Sequence, residues 1–253
     1  MFHHDIEVFL TAGNVTAEDV RGRTAVVIDV LRASTTIAHA LAAGAREVVP
    51  VPDMGEAGRF AAVLDTASYV LGGEKDGRRI EGYSLGNSPS EYSERAIAGK
   101  TVILSTTNGT PAILAAAEAD PVLVGGFVNA AAVVRAVRAA DQDLTIVCAG
   151  WHNRVALEDT ICAGLLIDRL LEGRSPADLS DTAYMALWQY RHDAGDIGVP
   201  IARCNHARRL EALGHGSDVG ACIRVDALDV VPVLRERRLV PLSRLEPLLS
   251  SRD

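Results

Sequence analysis

With 253 residues, 48% of them hydrophobic and 23% charged, the chain is long enough for one large α/β domain or two small ones and too apolar to be disordered. Its formal net charge of −8 disfavours nonspecific binding to nucleic acid or to an anionic membrane surface. Four scattered cysteines lack the CxxC spacing of a zinc knuckle or redox pair; with no signal-peptide pattern and no apolar stretch of membrane-spanning length, the expectation is a cytoplasmic protein with reduced thiols.

Apolar runs alternate with helical patterns along the chain. Residues 24–30 predict a buried strand. Residues 34–43 predict a helix, with Ile37 and Leu41 on one face and Gly44 as the stop signal. A short strand over 47–51, a helix over 53–64 and a strand over 68–71 follow. Residues 72–86 are rich in glycine and charge without a clear period. They read as the longest loop, and long loops in compact domains are often functional. Ser88-Pro89-Ser90-Glu91 predicts a helix start, with Ser88 as N-cap, Pro89 in the first turn and Glu91 closing a capping box.

Next come a strand over 101–104, a helix over 110–119, a strand over 121–124 and a helix from an Asn129 cap to about residue 140. A strand over 144–149 and a helix over 157–171 complete the alternation. Beyond residue 173 the pattern turns mainly helical, with segments near 181–190 and 203–213. Residues 230–234 and 239–242 read as a closing strand pair around a charged turn. This order predicts a doubly wound α/β layer structure, one domain over residues 1–253 with a subdomain change near 173.

Polar motifs punctuate these junctions. Asp29 ends an apolar strand and precedes a helix, at the carboxyl edge where open α/β sheets bind ligands. A carboxylate there can ligate Mg²⁺, attack phosphorus or cap the helix. Arg32 offers a planar fork to a phosphate or sulfonate, or forms a surface ion pair. Ser34 and Thr35 add hydroxyls where the helix begins. In Ser105-Thr106-Thr107-Asn108-Gly109-Thr110, a second candidate anion cradle, Gly109 permits positive φ and close approach; the Walker spacing is absent. Asn87 and Ser88 belong to the predicted cap, which still exposes N–H groups.

Glu158 and Asp159 open a long helix. The helix dipole alone favours acids there, and paired carboxylates at such an edge also suit Mg²⁺. Cys148 with His152 would make a thiol and base, against the commoner fate of a strand cysteine, which is burial. Lys75 and Arg154 are further candidate cations. Asp218 and Asp226 are candidates for a carboxylate cluster, and no HxxxH or HExxH pattern marks a zinc site.

Taken together, Asp29-Val30-Leu31-Arg32-Ala33, Gly72-Gly73-Glu74, Leu85-Gly86-Asn87-Ser88-Pro89, Ser105 to Thr110, and Cys148-Ala149-Gly150 followed by Glu158-Asp159 resemble the 2-phosphosulfolactate phosphatase family of coenzyme M biosynthesis. The resemblance covers about residues 29–232. It implies a three-layer α/β/α fold with a mixed, mostly parallel sheet. It also implies Mg²⁺-dependent hydrolysis of a small anionic phosphomonoester, with (R)-2-phospho-3-sulfolactate giving 3-sulfolactate and phosphate. Lys75 and Ser84 depart from the family pattern, which commonly has arginine and aspartate there. The resulting expectation gives catalytic roles to Asp29, Arg32 and Glu158. It gives substrate contacts to Ser34, Thr35, Asn87, Ser88, Thr106, Thr107, Asn108 and Gly109, and metal ligation to Asp29, Glu158 and Asp159. The expected partner is the small phosphoester, not nucleic acid or membrane, and self-association is left open. A cysteine hydrolase using Cys148 and His152 and a non-catalytic anion-binding protein are the alternatives.

Overall fold

The structure, a computed structural model, describes residues 2–172, 175 and 179–244. In chain order its elements are β1 (Ile6–Phe9), α1 (Ala17–Val20), β2 (Thr24–Ile28), α2 (Ala33–Ala42), β3 (Glu47–Pro50), α3 (Met54–Ala61), β4 (Tyr69–Lys75) and β5 (Arg78–Arg79). There follow α4 (Glu94–Ile97), β6 (Thr101–Ser105), α5 (Gly109–Ala115), β7 (Val122–Gly125), α6 (Ala130–Ala140), β8 (Leu144–Cys148) and α7 (Leu157–Leu171). The chain continues through α8 (Asp181–Asp193), α9 (Gly198–Arg203), α10 (Asn205–Ala212), α11 (Gly216–Cys222), β9 (Pro232–Arg235) and β10 (Arg238–Pro241).

One sheet runs in the order β1-β8-β2-β7-β9-β10-β3-β6-β4-β5. Strands β1, β8, β2 and β7 pair in parallel, as do β3, β6 and β4. The β9–β10 hairpin joins these two blocks, antiparallel to both. Helices cover both faces, giving a three-layer α/β/α fold with a mixed, mostly parallel sheet.

Strand β2 shows why. All five of its residues are buried, as expected for a strand covered on both sides. Successive side chains point to opposite faces. Val26 and Ile28 enter a core shared with α6, α7 and α8, while Ala25 and Val27 enter another shared with α2 and α5. Helix α3 covers Val49 and Ile103 of β3 and β6. Residues of α8, α9, α10 and α11 join the first core, including Leu187, Ile201, Leu210 and Cys222. Part of the pattern change near residue 173 lies outside the described residues.

Three local readings need correction. The expected 72–86 loop is partly strand: β4 runs through Gly72 and Gly73 to Lys75, in register with Leu104 and Ser105 of β6. Gly73 has φ +141° and its Cβ position lies 1.9 Å from the Ser105 carbonyl oxygen, so only glycine fits that pairing. The capping box at Ser88 is absent; Pro89–Glu91 forms only a single 3₁₀ turn. Ser88 Oγ donates instead to Asp218 Oδ1 at 2.7 Å, and Glu91 accepts the Gly86 N–H. Asn129 precedes α6 but does not cap it; its amide accepts from Gly126 N–H and donates to Val124 and Val230 carbonyls.

Candidate active site

Two strand-to-helix junctions meet at Asp29. Between β2 and α2, Asp29 N–H donates to Ser34 Oγ at 2.8 Å and Ser34 N–H to the Asp29 carbonyl at 2.9 Å. The Asp29 carboxylate accepts the Ala33 N–H at the start of α2. Between β6 and α5, Thr106 and Thr110 exchange N–H to hydroxyl bonds of 3.0 Å each. This reciprocal pair fixes the start of α5, as a capping box does. Gly109 is the first residue of α5 and lies against Asp29. A Cβ there would lie 2.5 Å from Asp29 Oδ2 and 2.4 Å from Ala33 Cβ. Gly109 thus provides close approach, as its motif suggested, but not positive φ.

Glu74 closes one side of the cleft from the end of β4. Its carboxylate accepts the N–H groups of Thr107 (2.7 Å) and Gly77 (2.6 Å) and the Thr107 hydroxyl. Arg32 is buried, not a surface charge. Its Nη1 lies 2.6 Å from Asp218 Oδ2, and its Nη2 donates to the Gly77 carbonyl. Asp218 therefore ties Arg32 to Ser88. Asn87 lines the cleft, and its Oδ1 is buried without a hydrogen-bond partner.

The opposite wall is Trp151, His152 and His206. Trp151 and His206 stack at 5.6 Å, and His152 N–H donates to Asn108 Oδ1. Behind them, His206 Nδ1 bonds Glu158 Oε1 at 3.0 Å. Glu158 Oε2 is buried and unpartnered. Asp159 clamps the ends of two strands, accepting from Val30 N–H at 2.8 Å and Gly150 N–H at 3.1 Å.

A sequence model of the family described as 2-phosphosulpholactate phosphatase matches residues 9–237. The chain belongs to the 2-phosphosulfolactate phosphatase family. A probable 2-phosphosulfolactate phosphatase of Symbiobacterium thermophilum is 38% identical to it, over 89% of this chain and 97% of that protein. One of Caldanaerobacter subterraneus subsp. tengcongensis is 36% identical over 91% and 95% of the two chains. One of Clostridium beijerinckii is 32% identical over 92% and 98%.

In this member of the 2-phosphosulfolactate phosphatase family, acids crowd the cleft floor. Burial, with the charges of Glu74 and Glu158, pushes Asp29 up to about 7 against the pull of His206 and the Ala33 N–H. Burial, then Glu158 and Asp29, also pushes Asp159 well above its ordinary range. Burial acts on Glu158 too, but the hydrogen bond and charge of His206 outweigh it and hold that carboxyl low. Cys148 is fully buried in β8, and burial with nearby Asp159 raises its thiol far out of the nucleophilic range.

The structure brings Asp29, Arg32, Asn87, Thr107 and Asn108 to one cleft at the carboxyl ends of the strands. Glu158 lies behind its wall, and Gly109 supports it. Ser34, Thr35 and Thr106 lie beneath, their hydroxyls engaged: Ser34 with Asp29 N–H, Thr35 with the Val30 carbonyl and Thr106 with Thr110. Ser88 is directed to Asp218, and Lys75 and Arg154 do not line the cleft. Cys148 does not reach it either, so the thiol–His152 pair is not assembled. Asp226 is committed to Arg169, away from the site.

Glu74, Trp151, His206 and Asp218 carry more of the site than their local patterns suggested. Glu74 had a signal, since Gly72-Gly73-Glu74 was part of the family resemblance. His206 and Asp218 lie 177 and 189 residues beyond Asp29 by numbering, and no local spacing links them to it.

Proposed function

We propose that the chain is a Mg²⁺-dependent phosphatase acting on 2-phospho-3-sulfolactate, the substrate named for its relatives. The observation that carries this reading is a mismatch of charge. Asp29, Glu74 and Asp76 line the cleft, and Arg32 is already neutralised by Asp218. A substrate bearing phosphate, carboxylate and sulfonate enters such a site only with a cation.

The residues fit Mg²⁺. Two buried oxygens, Asn87 Oδ1 and Glu158 Oε2, have no hydrogen-bond partner, and burial, with the charges of Glu74 and Glu158, raises Asp29 to about 7 against the pull of His206. Among the described residues, no three His, Cys, Asp or Glu side chains are grouped so as to hold a metal ion by themselves. Mg²⁺ commonly uses one or two carboxylates and completes its shell with waters and substrate phosphate, so it needs no such group. Asp29 and Glu158 are the carboxylates that would hold it. Asp159 braces the loops that carry them. When bound, Mg²⁺ would neutralise phosphoryl oxygens and so ease attack on phosphorus.

The chain's own groups supply the positioning. Asp218 fixes the Arg32 guanidinium so that its remaining donors can meet a phosphate or sulfonate. Glu74 holds Thr107 and the start of α5 in place, presenting polar groups to the same anion. His206 orients Glu158, while Trp151 narrows water access from the far wall. The reading places the protein in coenzyme M biosynthesis and in the cytoplasm, where its four buried free thiols would stay reduced.

The test is phosphate release by purified protein from 2-phospho-3-sulfolactate and from an aryl phosphate. Turnover should require Mg²⁺, vanish with chelator and return when Mg²⁺ is restored. Turnover indifferent to chelation refutes the metal assignment. No turnover of any phosphomonoester supports a non-catalytic binding protein instead.

A further inference from the structure

His152 is left without a task once the thiol pair is dissolved. It sits at the tip of a tight turn in the far wall of the cleft. Trp151 and Arg154 exchange N–H to carbonyl bonds of 2.9 and 3.0 Å, and the two residues between them, His152 and Asn153, are both left-handed, with φ +50° and +56°. A two-residue turn with both φ positive favours asparagine, aspartate or glycine, not histidine. The turn is held from both sides. His152 N–H donates to Asn108 Oδ1 at 3.3 Å, and Asn153 fits against Gly13, where a Cβ would fall 2.0 Å from its Oδ1. His152 is exposed, and its ring packs edge-on to Trp151 at 4.7 Å. Among the described residues that ring has no hydrogen bond or ion pair. A side chain kept free, on a disfavoured backbone, beside a ligand cleft points to function.

The reaction calls for what a free imidazole supplies. Hydrolysis of 2-phospho-3-sulfolactate expels the oxygen of a secondary alcohol, a far poorer leaving group than the phenolate of an aryl phosphate. That oxygen gains most from a proton delivered as its bond to phosphorus breaks. The ionisable groups lining the cleft are Asp29, Arg32, Glu74, Asp76, His152 and His206, and Arg154 ends the His152 turn. Arginine does not release a proton in proteins. The Glu74 carboxylate accepts hydrogen bonds from Thr107 and Gly77 and has no proton to give. Asp29 lies at the floor beside the proposed cation. Asp76 stands on the Glu74 side, with its N–H held by Thr107 Oγ1 at 3.1 Å. His206 Nδ1 is committed to Glu158, and its ring is stacked on Trp151. His152 alone faces the cleft from the far wall with an uncommitted ring, and imidazole gains and loses its proton near neutral pH.

We propose, resting on the phosphatase reading above, that His152 is a catalytic residue: the general acid that protonates the leaving oxygen of the phosphoester. The bond between phosphorus and the sulfolactate oxygen breaks, and its electron pair stays on that oxygen. The His152 imidazolium gives its proton to the same oxygen, so 3-sulfolactate leaves as an alcohol rather than an alkoxide. A water oxygen ends bonded to phosphorus, and a proton of that water returns to the imidazole. One water is consumed, phosphate is released and His152 finishes as it began. The Asn108 contact sets the turn against the α5 junction that presents polar groups to the phosphate, so the acid and the anion cradle are fixed to each other.

Steady-state kinetics of the full chain with Mg²⁺, on 2-phospho-3-sulfolactate and on 4-nitrophenyl phosphate, test it. His152→Asn suits the left-handed turn and cannot transfer a proton. Its kcat on phosphosulfolactate should fall about a hundredfold or more, with KM within about threefold, and the loss on the aryl ester should be roughly tenfold smaller or less. His152→Gly also suits the turn and leaves room for a free base, so added imidazole should restore phosphosulfolactate turnover severalfold. Circular dichroism checks that both variants keep the fold. Equal losses on the two substrates overturn the proposal. So does a raised KM with kcat unchanged, which would make His152 a grip on the substrate's anionic end, and so does the selective loss appearing in His206→Gln but not in His152→Asn. A wild type active on neither ester refutes the phosphatase reading itself, and the proposal with it.

Discussion

Asp29→Asn should stabilise the metal-free protein while abolishing its activity. The cause is the burial of a carboxylate at the cleft floor. Its pKa rises from 3.8 to about 7 on folding. Below about pH 4 both folded and unfolded chains carry the proton, and no electrostatic penalty applies. Between about pH 4 and 7 the unfolded chain ionises and the folded one does not, so stability falls as pH rises. Above about pH 7 the full penalty remains. A shift of about three units at roughly 1.4 kcal/mol each sets a ceiling near 4 kcal/mol. Relaxation around Glu158 and Asp159 reduces it, so about 2–4 kcal/mol is expected. For a chain of this size that is roughly 4–16 °C in Tm. Asparagine keeps an oxygen for the Ala33 N–H and cannot ionise, so the variant lacks this slope. Calorimetry with chelator present, from acid to alkaline pH, should show the two proteins diverging towards pH 7 and holding a constant gap above it. Added Mg²⁺ should raise the wild-type Tm and leave the variant unchanged. A variant no more stable than wild type at pH 8 without metal would refute the reasoning, because the Asp29 charge would then be adequately compensated by the protein alone.

Other substitutions probe separate parts of the site. Gly109→Ala forces a Cβ against Asp29 and Ala33, at positions both helices fix, and should lower kcat/KM more than tenfold with a stability loss of about 1–3 kcal/mol; wild-type kinetics would contradict the close-approach argument. Arg32→Lys keeps the charge but cannot span Asp218 and the Gly77 carbonyl as the fork does. A loss of about 1.5–3 kcal/mol, roughly ten- to a hundred-fold in rate, is expected. The loss should extend to an aryl phosphate if Arg32 holds the phosphate, and be confined to phosphosulfolactate if it holds the sulfonate or carboxylate; unchanged rates on both would reduce Arg32 to a brace for Asp218. Cys148→Ser should retain most activity while losing about 1–3 kcal/mol of stability, because it sets a hydroxyl in an apolar core; a folded but inactive variant would revive the thiol mechanism.

Much of this arrangement is legible in sequence where chemistry and structure are both local. The unbroken TAVVI run of β2 fixes a strand buried on both faces, and Asp29 at its end falls at the sheet edge by continuity. The Thr106–Thr110 exchange also lies within one short segment. Contacts that depend on distant pairing are illegible. Glycines 72 and 73 carry no strand pattern, and only the close approach of β6 makes them strand. Ser88 had a plausible local partner in its capping box, yet Asp218, 130 residues on by numbering, takes its hydroxyl. The C-terminal hairpin was visible as two strands, but nothing in residues 230–242 indicates that it bridges two parallel blocks. Asp159 looked like a ligand beside Glu158, whereas its two oxygens are bound to backbone N–H groups of β2 and β8 connections.

The assignment of the cation to the Asp29 cleft is most directly tested by crystals grown with Mn²⁺ as a stand-in for Mg²⁺ and with inorganic phosphate, measured at the manganese absorption edge. The account predicts one anomalous peak in contact with the Asp29 carboxylate, with phosphate oxygens on its open side and no such peak in Asp29→Asn crystals. An anomalous peak away from Asp29, or phosphate bound in the cleft without any metal beside it, would contradict the account.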